Sequence, residues 1–353
     1  MQGTLHRTGA EIRTARQAHP EMRERDFARI HAISEGELLA AFCGHHTKRL
    51  RPDVDVLLNG LVGVGEVLAL TRNGSAVHEK IGPYQKPVVG KRASMVLGEL
   101  IDLRIFGKHW ASGFAVEKTN EDGTVRRSLQ FFDGEGNAVH KVHARPATDM
   151  AAWARLVEQL TDDNQSDTLT LVAPPEAEEP TGLPSGVEEL RERWAAMTDT
   201  HQFFGMLKKL NLTRHQAMHM VGTDYAWPLE ADSVRAMFDG AAAQALPIMV
   251  FVGNAGCIQI HSGPVQNIKT MGPWLNVMDE TFHMHLRMDH IAEVWAVRKP
   301  TKDGHVTSLE AFGADKELIV QFFGKRVEGH DERPQWRSLV EGLGAEPSRS
   351  NAA

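Results

Sequence analysis

At 353 residues the chain is long for one hydrophobic core and comfortable for two of about 150 residues each. Its 42% hydrophobic and 24% charged residues are ordinary for a globular protein, and a formal charge of −7 offers no basic field, which argues against nucleic acid as a partner. No stretch reaches the roughly 18 apolar residues that span a membrane, so a membrane-embedded protein is not expected.

The opening MQGTLHRTGAEIRTARQ lacks the apolar core of a secretory signal. Cys43 and Cys257 sit at no metal-motif spacing, and reduced thiols in the cytoplasm are the expected setting. Of the 18 histidines, His6, His19, His45, His46 and His330 read as solvated side chains, so placement rather than number must identify functional ones.

The first predicted helix start is the capping box Ser34-x-x-Glu37, ahead of Leu38, Leu39 and Phe42. A hairpin follows around Asn73-Gly74, with strands on either side of this strong turn signal. A second hairpin joins Gly113–Lys118 to Val125–Phe132 through Asn120-Glu-Asp-Gly123, and an amphipathic helix, Trp153–Leu160, closes the segment. The polar, acidic and Pro-rich stretch Asp163–Pro184 reads as a linker. Beyond it, Ser185-x-x-Glu188 predicts a helix with the apolar stripe Val187, Leu190, Trp194 and Met197, and Thr213-x-x-Gln216 predicts another.

The earlier pattern then returns. Residues Ile248–Ile260 form a predicted hairpin around Asn254-Ala-Gly256, Trp295–Lys299 pairs with His305–Phe312, and Trp336–Leu343 is the closing helix. Asn73 matches Asn254, Gly82 matches Gly263, Pro83 matches Pro264 and Ala115-Val116 matches Ala296-Val297, all at one offset of 181 residues. A repeat this long signals a duplicated domain rather than a solenoid. The expected organisation is residues 1–162, a linker 163–184, residues 185–345 and a tail 346–353. Helices followed by an antiparallel meander and a helix make each copy α+β.

Chemistry found in only one copy is where function should be sought. His283 and His285 alternate onto one strand face, a metal-like His-x-His pattern, but their sister residues are Asp102 and Arg104. A polar cavity faced by His285 and Arg104 is the preferred reading over a metal cage. His201, in Thr198-Asp-Thr-His-Gln-Phe-Phe, sits in the expected first turn of a helix, whose positive end favours the neutral imidazole that binds iron. Its sister residue is Met22. Arg104 and Arg326 lie among Phe106, Phe322 and Phe323, and Lys299 is a further cation; aromatic walls with convergent cations suit a flat, apolar dicarboxylate. His215 and His219 lie one helical turn apart and read as a solvated helix face.

Through LTRNGSAVHEKIGPY, VFVGNAGCIQIHSGPV, VRKPTKDGHVTSLE and FFGKR, the sequence resembles the bacterial haem-utilisation proteins of the HemS/HmuS type over nearly its whole length. The resemblance implies two similar halves with large antiparallel sheets, and hemin (haem b) in a cleft involving both. It implies His201 as the proximal iron ligand, Arg104 with Phe106 on the distal side, and Lys299, Gln321 and Arg326 as further haem-site residues, with Lys299 and Arg326 facing the propionates. His283-Met-His285 departs from the family's Asn-x-His, so His283 or His285 is a second candidate ligand. A cytoplasmic carrier that hands hemin on is the favoured role, with a haem-degrading, oxygenase-like enzyme fed by an external electron donor as the alternative. A haem oxygenase, a haem ABC importer or a reductase are the expected partners of a monomer or dimer.

Overall fold

A computed structural model of the chain describes residues 7–172, 186–326 and 331–344. It comprises two units: Met1–Arg72 with Glu79–Pro175 and Gly253–Gln259, and Asn73–His78 with Glu176–Val252 and Ile260–Ala353. Among the described residues, no helix is long and apolar enough to cross a membrane.

The elements follow one order twice. The first series is α1 (Gly9–Gln17), α2 (Glu24–Ile30), α3 (Glu35–Ala40), β1 (Thr47–Leu50), α4 (Val54–Val62), β2 (Gly65–Arg72), β3 (Ala76–Pro83), β4 (Pro87–Val88), β5 (Ser94–Leu97), β6 (Asp102–Ile105), β7 (Ser112–Thr119), β8 (Val125–Phe132), β9 (Ala138–Thr148) and α5 (Met150–Leu160). The second is α6 (Val187–Ala195), α7 (Gln202–Leu210), α8 (Arg214–Val221), β10 (Ala226–Leu229), α9 (Ser233–Ala243), β11 (Ile248–Gly253), β12 (Cys257–Gly263), β13 (Ile268–Met271), β14 (Trp274–Met278), β15 (Phe282–Arg287), β16 (Glu293–Thr301), β17 (Gly304–Phe312), β18 (Leu318–Gly324) and α10 (Pro334–Glu341). Strands run side by side in the order β1-β7-β8-β9-β2-β3 in one series and β10-β16-β17-β18-β11-β12 in the other, with β6-β5-β4 and β15-β14-β13 as matching three-strand runs. The pairings are antiparallel, as expected for α+β.

Local chemistry explains most boundaries. Ser34 caps α3, its hydroxyl accepting from Glu37 N at 3.1 Å while Glu37 accepts from Ser34 N at 2.7 Å. Thr213 and Gln216 repeat this at α8, and each cap contributes about 1 kcal/mol. Thr8 and Glu11 form a third such box at α1 that the sequence reading passed over. The expectation at α6 needs correction: Gly186 is the N-cap, without a side-chain hydrogen bond, while Ser185 lies outside the described residues. Val187 is exposed rather than part of the stripe, because the helix turns only Leu190 and Trp194 inward.

The hairpins stand where predicted, but those around Asn73 and Asn254 turn differently from an Asn-Gly turn with positive φ. Neither Asn73 nor Gly74 adopts positive φ. Instead the Asn73 carboxamide oxygen accepts from Ser75 N and Ala76 N, and its Nδ2 donates to Ile319 O. Asn254 does the same with Gly256 N and Cys257 N, its Nδ2 donating to Arg72 O and Val139 O. A short carboxamide that mimics backbone explains asparagine at both tips.

In the first unit, α4 and α5 bury Leu57, Leu61, Trp153 and Leu156 over Val67, Ala69 and Val142. In the second, α9 and α10 bury Met237, Phe238, Trp336 and Val340 over Ile248, Val250 and Phe322. Trp336 lies so close over β18 that a Cβ at Gly324 would meet its Cγ at 2.6 Å, which fixes glycine there. Helices α6, α7 and α8 form a separate cluster with Trp295, Val297 and Phe312.

His140 is buried in the first unit between Thr71 Oγ1 at 2.8 Å and Tyr84 Oη at 2.6 Å, with Cys257 beside it. Burial, then the charge of His143, hold its pKa down to about 3. A histidine depressed on folding binds its proton more readily in the unfolded chain, so its contribution is complete above about 6.5 and is lost as pH falls towards 3. Between pH 7 and 5 the unit should lose roughly 2 kcal/mol from this group in urea unfolding. His140→Gln should flatten that slope, and a pH-independent wild-type midpoint would show that the imidazole protonates in place. His46, expected as solvated, is instead half-buried against Phe42, where burial holds its pKa to about 4.

Candidate functional site

Helix α7 places His201. Its spacing buries Phe203, Met206, Leu207 and Leu210 against Trp194 and its neighbours, leaving the adjoining positions outward. His201 is the N-cap residue, one step before the predicted first turn, because Asp199 rather than His201 supplies the side-chain acceptor. Asp199 Oδ1 accepts from His201 N at 2.8 Å and from His201 Nδ1 at 2.7 Å. A proton held on Nδ1 leaves the Nε2 lone pair for a ligand. The His201 side chain is 94% exposed, and Phe204 is 75% exposed on the outward side of the helix. Hydrogen bonds from His201, first its backbone N–H, keep the Asp199 carboxyl below the usual range, with a smaller contribution from the charge of Arg326. Arg326 Nε is itself buried without a hydrogen-bond partner among the described residues.

Lys299 and Gln321 meet at a third residue, Glu310. Glu310 is fully buried and accepts from Lys299 Nζ at 2.7 Å, Gln321 Nε2 at 2.9 Å, Ser308 Oγ at 2.8 Å and Arg214 Nη1 at 2.8 Å. Burial alone would raise this carboxyl, but Arg214 and Lys299 together hold it far below the usual range. The Lys299 ammonium and the Arg214 guanidinium also lie over the Phe203 ring, at 4.6 and 5.0 Å from its centroid. Lys299 is thus a buried cation over Phe203, two residues from His201. The first series carries a related cluster with its charges exchanged: Glu35, the sister of Arg214, pairs with Arg72 and with Lys141 at 3.1 Å, and Gln130 stands where Glu310 does.

On β6, Arg104 pairs with Asp102 on the same strand face and donates to Leu103 O at 3.0 Å. Burial pushes the Asp102 carboxyl up, although the Arg104 charge opposes it. Phe106 is half-buried, its N–H bound to Gly256 O at 2.9 Å. The sister strand β15 carries His283 and His285 on one half-buried face, as alternation required. His285 Nδ1 donates to Asn276 Oδ1 at 2.6 Å on the paired strand. Neither histidine belongs to a group of three metal-ligating side chains among the described residues.

Such a group occurs elsewhere, where the sequence suggested only a solvated helix face. His215 is 11% exposed, and Glu293 of β16 reaches both it and His219. Sequence spacing could offer the i, i+4 histidines, but the carboxylate lies 74 residues beyond His219 and only the fold delivers it.

The haemin-degrading HemS.ChuX domain matches residues 32–160 and again 211–343. His201 falls between these stretches, whereas Arg104, Phe106, His285, Lys299, Gln321 and Arg326 fall inside them. The chain is 43% identical over 328 residues to the hemin transport protein HmuS of Yersinia pestis, across 92% of this chain and 94% of that one. It is similar to holo-PhuS, a heme-binding protein from Pseudomonas aeruginosa, with TM-score 0.91 and 43% identity over 96% of this chain and all of that one. The heme degrading enzyme ChuS of Escherichia coli O157:H7 matches with TM-score 0.88 and 38% identity, over 95% and 99%. Two tandem matches to one domain, falling on two series of elements that share one order, show that the chain belongs to the haemin-degrading HemS.ChuX family.

Proposed function

We propose that the protein binds hemin (haem b) as cargo in the cytoplasm, with His201 as the proximal iron ligand, and carries it to downstream degradation. The observation that carries this reading is the exposed His201 ring, held through Nδ1 by Asp199 with Nε2 left for a ligand, beside an outward Phe204. An exposed phenyl ring suits an apolar macrocycle face, and the Asp199 contact raises the basicity of the liganding nitrogen. The Lys299–Glu310–Arg214 cluster fixes the buried Phe203, which holds the first turn of α7 in place. Arg104 is proposed as the distal group, with Phe106 beside it, and Arg326 as the propionate cation, on the strength of the family pattern. The names of the Yersinia and Pseudomonas relatives agree with binding and transport.

A second reading, that the protein itself opens the porphyrin, is favoured by the description of the E. coli relative as a heme degrading enzyme. It would require O₂ and electrons from an external reductase, since no flavin or nicotinamide motif is visible in the sequence.

Hemin titration followed by absorption tests the common core of both readings. A saturable 1:1 change with one coordinated ferric species is expected, and diffuse uptake without saturation would refute it. Incubating the complex with a reductase, O₂ and catalase then separates them: intact porphyrin supports the carrier, and a defined open tetrapyrrole supports the enzyme.

A further inference from the structure

His215 and His219 project from α8 one turn apart, and Glu293 stands at the start of β16. His215 Nε2 lies 3.1 Å from Glu293 Oε1, His219 Nε2 lies 3.0 Å from Glu293 Oε2, and the two Nε2 atoms lie 3.2 Å apart. We infer that these three side chains bind a divalent transition cation of the zinc class.

Proton counting gives the first argument. Each of the three contacts joins atoms that accept hydrogen bonds, so each needs one proton between them to be attractive. Each ring supplies at most one proton at Nε2. Whatever the tautomers, at most two contacts are ordinary two-centre hydrogen bonds, and the third sets like against like. One cation at the centre makes all three favourable. The spacing agrees, because ligands about 2.0–2.1 Å from a tetrahedral ion stand roughly 3.3 Å from one another. Two imidazoles and a carboxylate suit zinc and its first-row neighbours, and disfavour calcium and magnesium, which take oxygen donors.

The surroundings are those of a ligand set. The Trp295 indole N–H donates to Glu293 Oε2 at 2.8 Å, fixing the carboxylate from behind. Ring contacts with Phe312 and Trp295 hold His215 and His219. His219 and Glu293 keep 46% and 36% of their side chains exposed, so the fourth position faces water. A three-ligand site with an open position can take a water or a small anion. The first series has Gly36, Ala40 and Ser112 at the equivalent places. The cluster therefore belongs to one copy and is not part of the duplicated scaffold.

Titrating the haem-free full chain with Co²⁺ tests this directly. A saturable 1:1 set of visible d–d bands, discharged by one equivalent of Zn²⁺, is expected. His219→Asn and Glu293→Gln should each weaken the apparent affinity at least tenfold, Trp295→Phe about tenfold, and the surface control His45→Gln not at all. Far-UV circular dichroism confirms that each variant is folded, and two independent ligand variants keep the test open if one is not. Absence of the bands in the wild-type chain, or their persistence in both ligand variants, overturns the site.

Discussion

Replacing His201 with alanine is expected to abolish the absorption signature of imidazole-ligated ferric haem and to weaken hemin binding roughly 10–100-fold, about 1.4–2.7 kcal/mol. The effect should be large because the ring is already arranged for coordination. Asp199 holds Nδ1 at 2.7 Å and the adjoining backbone N–H at 2.8 Å, so little side-chain freedom remains to be lost when iron binds. Asp199→Ala should therefore cost about tenfold on its own, with the spectral type retained. An unchanged spectrum in His201→Ala would move ligation to another imidazole, with His285, His283, His215 and His219 the candidates in the same unit. Because coordination is read spectrally, loss of the ligand is distinguishable from a general loss of affinity.

The largest stability effect is expected at Glu310. Its carboxylate is fully buried and is the common acceptor for Lys299, Arg214, Gln321 and Ser308. Glu310→Ala leaves a buried ammonium and a half-buried guanidinium without their counter-charge, and should cost about 3–5 kcal/mol in urea unfolding of the second unit. Its pH signature has a definite sign. A carboxyl depressed on folding contributes fully above the ordinary glutamate pKa, and that contribution is lost as pH falls below about 4. Pairing Glu310→Leu with Lys299→Met and Arg214→Met should recover most of the loss, because an apolar replacement removes the stranded charges along with the pair. A cost below about 1 kcal/mol for the single variant would mean that water reaches the cluster and solvates the cations. Since Lys299 and Arg214 also sit over Phe203, Glu310→Ala should loosen the first turn of α7 and weaken hemin binding as well.

Elements whose signals are local were readable in advance. The Ser34 and Thr213 capping boxes, the hairpins around Asn73 and Asn254, and the closing helices all depend on residues within a few positions of one another. The short strands β4–β6, β13 and β14 escaped, because two to five residues give too little alternation to stand out. Ser185 misled because the helix began two residues later at Val187. Among site residues, the sequence pointed to His201 through its Asp-Thr-His setting, while Asp199 as its orienting partner and Phe204 as its outward aromatic emerged from rotation about α7. Lys299 stood out in the sequence as a cation, whereas its partner Glu310, on the neighbouring strand, emerged only from the β16–β17 pairing.

The sequence by itself determined the duplication, the α+β order of each copy and the family, because a repeated pattern at one offset and local turn and cap chemistry need no knowledge of neighbours in space. Tertiary structure alone decided which polar groups meet. Strand register brings Lys299 to Glu310, helix packing on β16 brings His215 and His219 to Glu293, and the turn residues 73–78 and 253–259 each join the unit that holds the bulk of the other copy. The physical reason is the same in each case. Periodicity tells which side of its own element a side chain takes, whereas the partner it finds there is fixed only when distant segments are hydrogen-bonded and packed together.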